Sequence, residues 1–276
     1  MFFQKKGRES LTVEMPFARW YSAIKHRRSR RRFDPRPIEP NLLTNLQDIC
    51  SKFRPYPEAR AVVVTQSPDE VFKGAIGHYG KIKGAPAFVA FIGRMESPHV
   101  QERVGYLGEG IILESTALNL ATCWVAGLFR PDVAGRFAGT SEGERVLAVT
   151  PVGHVREEWS LEEKIMSGFG RNHRRKPLAE LVTGPEASKW PAWIRQALEA
   201  ARLAPSAVNR QPWRFHVEPE QITISVDSLK DTFHISKRLD CGIAMLHLET
   251  AALNDGVKGL WGFLEAPKVA RFRVTR

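Results

Sequence analysis

Cysteine is scarce in this chain. Cys50, Cys123 and Cys241 are the only three, odd in number and far apart. They form no CxxC pair and no Cys/His cluster, so neither a disulfide framework nor a metal site is indicated. Long apolar runs are missing too. No stretch of about 18 apolar residues exists, which argues against a membrane-spanning helix. The first ten residues, polar and charged after Phe2 and Phe3, lack the apolar run of a secretory signal. A reducing, cytoplasmic setting is therefore expected. Acidic residues are outnumbered, 30 against 41 Lys and Arg, for a formal net charge of +11. Such an excess attracts phosphorylated ligands, nucleic acid or anionic lipid, although most of these charges serve solubility alone.

What is present is ordinary for a globular chain. Hydrophobic residues make up 43% and charged residues 26% of 276 positions, enough for one large domain or two small ones with real cores. Helical spacing of Leu42, Leu43, Leu46 and Ile49 predicts a helix over Asn41–Cys50, followed by a β-like run at Ala61–Thr65. Ile194, Leu198 and Ala201 repeat the pattern over Trp193–Leu203, followed by a β-like run at Trp213–Val217. Ile111–Ala121 and Ile243–Leu253 read as long helices that are apolar nearly all round, hence buried. Leu113–Asn119 (LESTALN) echoes Leu248–Asn254 (LETAALN), and two such helices could pack at the centre of a two-fold pseudo-dimer. Ala85–Ile92 and Arg145–Val155 add β-prone runs. The order predicts an α+β fold with mostly antiparallel sheets flanked by helices. Charge, glycine and proline place a joining segment at Glu157–Lys189.

Two segments carry chemistry. His26–Phe33 (HRRSRRRF) has six basic residues in eight and one hydroxyl. Arginine offers planar, bidentate recognition of phosphate and serine adds a short hydrogen bond. A solvated basic turn or a nucleic-acid arm would have the same composition, but the aromatic platforms and further basic clusters of such arms are missing nearby. Ala204–Phe215 (APSAVNRQPWRF) follows a predicted helix and precedes a predicted strand. Pro205 ends the helix, while Ser206, Asn209 and Gln211 display hydrogen-bonding groups between two prolines. Cys123, His154 and His247 read as packing or structural residues.

Together these segments resemble the FMN-dependent nitroreductase family, in its TM-type branch with two fused halves. Arg27, Arg28, Ser29 and Phe33 match the family's phosphate motif; Ala204, Pro205, Ser206, Asn209, Gln211, Pro212 and Trp213 match its APSxxNxQPW loop. The resemblance implies a nitroreductase-like fold binding FMN. It assigns the phosphate to Arg27, Arg28 and Ser29, with Arg175 and its neighbour Arg174 (within HRRKP) returning to it. Pro205, Ser206, Ala207, Asn209 and Gln211 would contact the flavin from the second half. Lys81 would face the pyrimidine edge, with His78 near the ribityl chain. Trp124, Val125, Ala126 and Gly127 would lie under the ring, the amides of Ala126 and Gly127 approaching N5. The activity implied is ping-pong reduction of nitroaromatics, quinones or similar acceptors by NAD(P)H, with no side-chain acid–base dyad.

The arginine motif lies in the first half only and the APSxxNxQPW loop in the second only; Cys50–Val64 lacks that loop. The chain thus resembles an internal dimer with one competent flavin site and one lost. The expected layout is a first half at 1–156, a connection at 157–189 carrying the return motif, and a shorter second half at 190–276, the whole acting as a monomeric pseudo-dimer on a small-molecule substrate. Flavin storage, a structural role, dehalogenation and dehydrogenation remain open on the same scaffold.

Overall fold

The computed structural model describes residues 16–66, 68–73, 82–155, 174–232 and 234–275. Helix α1 (Phe17–His26) and helix α2 (Pro40–Lys52) lead into strand β1 (Ala59–Val64), the short helix α3 (Pro68–Phe72) and strand β2 (Ala87–Arg94). Helix α4 (Val100–Ala117), strand β3 (Ala121–Thr122), helix α5 (Pro131–Ala138) and strand β4 (Glu144–Gly153) complete the first half. Helix α6 (Leu178–Leu181), strand β5 (Val182–Thr183) and a 3₁₀ turn (Ala187–Lys189) lie in the connection. Then come helix α7 (Ala192–Arg202), a second 3₁₀ turn (Ala207–Asn209), strands β6 (Trp213–Glu218) and β7 (Gln221–Val226), helix α8 (Lys237–Asn254), and strands β8 (Gly259–Phe263) and β9 (Lys268–Val274).

The strands make two sheets whose orders repeat: β1-β2-β4-β3 in one and β6-β7-β9-β8 in the other, with β5 added beyond β6. Every neighbouring pair is antiparallel except β5–β6. The expected α+β architecture with mostly antiparallel sheets is therefore present. Seven of the eight residues of β2 are buried, as befits a strand covered on both faces. One face meets α4; the other meets a smaller cluster of Val71, Phe72, Val133 and Ala134 from α3 and α5.

Helices α4 and α8 pack against each other between the sheets. Their crossing is reciprocal. A side chain on Gly105 would collide with the Leu239 carbonyl, and one on Gly242 with the Glu102 carbonyl. This pairs Gly105 with Gly242 and Glu102 with Leu239, the contact expected of an isologous interface. The same offset pairs Asn119 with Gly256. Both residues are left-handed, and both helix ends close with the same bonds, Leu120 N–H to Ser115 O and Val257 N–H to Ala252 O. The LESTALN/LETAALN echo is two residues out of step with this correspondence. The sequence reading also placed both helices too short, starting at Ile111 and Ile243, and ran the first on to Ala121. Glycines at 105, 108 and 110 depress helix propensity, yet they sit where Leu239, Trp124 and Phe53 press on the helix.

Candidate functional site

The arginine turn begins where α1 ends. Arg28 Nη1 donates to the carbonyls of Lys25 and Arg27 at 2.8 Å, closing the helix. Ser29 then pairs with Thr122 in a parallel bridge, and the Arg30 N–H donates to the Thr122 carbonyl. This lays Arg27 beneath the chain, only 8% exposed. Its Nε stands 3.9 Å from Glu109 Oε1, beyond hydrogen-bond range. Burial lowers the Arg27 pKa, and the Glu109 charge opposes that shift.

Glu109, fully buried on α4, is a meeting point. It accepts from Trp124 Nε1 at 2.7 Å and contacts His247 Nε2 at 2.8 Å. The other ring nitrogen of His247 faces the Ala200 carbonyl at 2.9 Å, which makes it a satisfied core histidine, as the sequence suggested. The Trp124 ring packs on Phe91 at 4.8 Å and covers Gly108. Val125 exchanges two 2.9 Å backbone bonds with Val149, and the chain then emerges, with Ala126 half-buried and Gly127 exposed.

Residues 174–176 of the connection are strapped to the second half's loop after α7. Arg175 Nη1 donates to Asn209 Oδ1 at 2.8 Å and Nη2 to the Leu203 carbonyl at 3.2 Å. Asn209 Nδ2 and Gln211 Nε2 both donate to the Arg174 carbonyl, and Gln211 Oε1 accepts from the Lys176 N–H. Both side-chain groups of Asn209 and of Gln211 are thus engaged in holding this strap. Ser206 Oγ accepts from the Gln211 N–H at 2.9 Å. Pro205 is buried, and the N–H of Ala207 donates to Asp240 Oδ1. Val208, Asn209 and Gln211 all hold positive φ, at 49°, 56° and 49°. Such conformations cost on the order of 1–3 kcal/mol each, most for a β-branched valine, and cluster at functional sites.

The two segments converge. Arg175 is pushed down to about 10, first by burial and then by the positive charges of Arg27, Arg28 and Arg202. Nε of Arg27 and Nε of Arg175 are both buried without a hydrogen-bond partner among the described residues. A cationic cluster with donors left open is chemically suited to a phosphate monoester, an acceptor able to satisfy several guanidinium N–H groups together.

Sequence reasoning missed Arg202, Glu109, Arg210 and Asp240, whose roles arise from contacts between distant segments. His78 and Lys81 lie outside the described residues. The three cysteines are free and buried, consistent with packing.

At the corresponding place in the other half, residues 53–58 replace the 203–211 loop. Phe53 fills the space over Gly110 and meets Trp20 edge-on at 5.0 Å. Tyr56 packs on Tyr106 and Phe263, each at 5.4 Å. Arg103, the counterpart of Asp240, lies over Phe263 at 4.8 Å and pairs with Glu58 at 2.9 Å. Trp261, the counterpart of Trp124, donates to Glu249. Aromatic rings occupy this second location.

Comparison with known proteins follows the same lines. The family described as "Putative TM nitroreductase" matches residues 19–252. A crystal structure of a putative nitroreductase from Thermotoga maritima is similar over 98% of this chain and 100% of its own, with 19% identity and a TM-score of 0.65. A nitroreductase family protein from Clostridium difficile covers 60% of this chain with 98% of its own, at 19% identity and a TM-score of 0.45. A nitroreductase with bound FMN from Bacteroides fragilis covers 51% with 91% of its own, at 16% identity and a TM-score of 0.41. No curated protein matches the chain.

Proposed function

The chain belongs to the putative TM nitroreductase family, and from that premise we propose that it is an FMN-binding, NAD(P)H-dependent oxidoreductase acting on nitroaromatics, quinones or similar small acceptors. One observation carries the reading. Arg27 and Arg28 from the first half act on Arg175 from the connection, and two of these guanidiniums keep a buried Nε with no partner among the described residues.

In this reading Arg27, Arg28, Ser29, Arg174 and Arg175 hold the phosphate, with Arg202 adding positive charge. Trp124, Val125, Ala126 and Gly127 support the ring, and Ala126 and Gly127 supply main-chain amides at its edge. Bound FMN supplies the two-electron chemistry; the protein binds and orients it. Pro205, Ser206 and Ala207 border the ring, while Asn209 and Gln211 act by fixing the Arg174–Lys176 strap. Family resemblance adds His78 and Lys81. We read the repeated sheet order as an internal duplication, with halves at 1–156 and 190–276 joined through 157–189 and functioning as a monomeric pseudo-dimer.

The test is flavin binding. The purified protein should show oxidised-flavin absorption that NADH or NADPH bleaches anaerobically. Arg27→Ala and Arg175→Ala should each weaken FMN by about 10- to 100-fold, from charge-assisted bonds of roughly 1.5–3 kcal/mol, and leave riboflavin affinity nearly unchanged. Equal losses for both ligands would dismiss the phosphate assignment.

A further inference from the structure

The strained loop at 207–211 is held from behind by a buried carboxylate. Asp240, in the first turn of α8 and 1% exposed, accepts from the Ala207 N–H at 3.1 Å and from Arg210 Nε at 2.7 Å. The remaining arms of Arg210 donate to the carbonyls of Thr232 (Nη1, 3.3 Å) and Ile235 (Nη2, 3.0 Å). Asp240 thereby grips both ends of the segment containing Val208 and Asn209, two residues with positive φ. The bonds continue outward: Asn209 Oδ1 receives Arg175 Nη1, while Asn209 and Gln211 hold the Arg174 carbonyl. A conformation of this kind persists only where its surroundings over-determine it.

We infer that Asp240 is a positioning residue for the phosphate end of the cofactor site, acting through Arg210 and Asn209 on the guanidinium of Arg175. The inference rests on the FMN reading above. The other half provides a control within the molecule. The position equivalent to Asp240 carries Arg103, which pairs with Glu58, so the ion pair recurs there with its charges exchanged. The 53–58 segment has no positive-φ residue and its aromatic rings close the space. An ion pair at this spot is common to both halves, whereas the strained loop and its link to an arginine belong to one.

The arrangement also has a pH signature. Burial raises the Asp240 carboxyl to about 6, with Asp231 adding to the shift and Arg210 and the Ala207 N–H opposing it. Protonation removes the negative charge that pairs with Arg210, so wild type near pH 5 should behave like Asp240→Asn at the same pH.

FMN and riboflavin binding, followed by flavin fluorescence quenching between pH 7.5 and 5, tests this. Asp240→Asn should weaken FMN about tenfold or more at pH 7.5 and riboflavin by much less, because the relay ends at the phosphate. Wild-type FMN affinity should fall on acidification beyond the loss caused by the phosphate's own ionisation near pH 6, and the variant should show that phosphate loss alone. Arg210→Lys, which keeps the charge but not the three-way grip, should reproduce the FMN-selective loss and serves if Asp240→Asn does not fold. Unchanged FMN affinity in the folded variants, equal losses for both flavins, or parallel pH profiles would overturn the inference while leaving the cofactor reading intact. Absence of FMN binding by the wild type would remove both.

Discussion

Arg60 on β1 and Glu144 on β4 meet across the intervening strand β2, with Nη2 to Oε2 at 2.6 Å and Nε to Oε1 at 2.9 Å. The bidentate guanidinium, helped by the Ser141 N–H, holds the Glu144 carboxyl down at about 2, against an ordinary 4.5. A folded value below the unfolded one means stabilisation present in full above about pH 4.5 and lost as pH falls towards 2. Arg60→Ala should therefore lower unfolding free energy by about 1–3 kcal/mol at pH 7 and by little at pH 2, as measured by urea denaturation. A variant equally destabilised at both pH values would refute the assignment. Arg175 is the opposite type of arginine, driven downward by burial and then by like charges, its Nε without a partner among the described residues. This difference between a fully paired and a partly open guanidinium was invisible in the sequence, because it depends on what lies across the fold. The residue types were legible: the HRRSRRRF turn and the APSAVNRQPW loop do converge. The use of Asn209 and Gln211 was less so. The family resemblance placed them at the flavin; what lay beyond the sequence is that their amides hold the backbone around Arg175.

At the scale of elements, the meeting of α4 and α8 depends on two glycines. Gly105→Ala should place a methyl against the Leu239 carbonyl, a backbone atom that cannot rotate away. A cost of about 1–3 kcal/mol or more is expected for such overpacking, read as a lowered Tm. Gly139→Ala provides contrast: nothing lies within 4 Å of its added carbon, so its cost reflects the positive φ of 60° alone. A Gly105→Ala protein as stable as wild type would show that the helices separate freely. The same glycines explain where sequence reading of elements failed. Periodicity located the apolar centres of both helices but not their starts, since close approach demands residues that propensity penalises. Strands β7 and β9 went unread, and β9 pairs along nearly its whole length with β7 and β8, partners set by sheet order rather than by local pattern.

For the whole molecule, the repeated sheet order frames two unlike locations. One gathers Arg27, Arg28 and Arg175; the other is packed with Phe53, Tyr56, Tyr106 and Phe263. We expect one FMN per chain. Flavin released by denaturation, measured against protein concentration, should approach a ratio of one, and a ratio of two would show that the aromatic location opens. The repeat-like arrangement was legible in the sequence through the order of its helices and β-prone runs. The closure of the second location was not, since Phe53–Glu58 read only as a segment lacking the loop. No helix among the described residues is long and apolar enough to cross a membrane.

The turn at Arg27 and the strap at Arg175 are encoded far apart and brought together by the packing of α4 against α8. Neither segment has its partner until α8, ending at Asn254, has left the ribosome and docked. Whatever ligand settles there is taken up by an essentially finished protein, so shortened chains stopping before that helix should emerge colourless however well their first sheet folds.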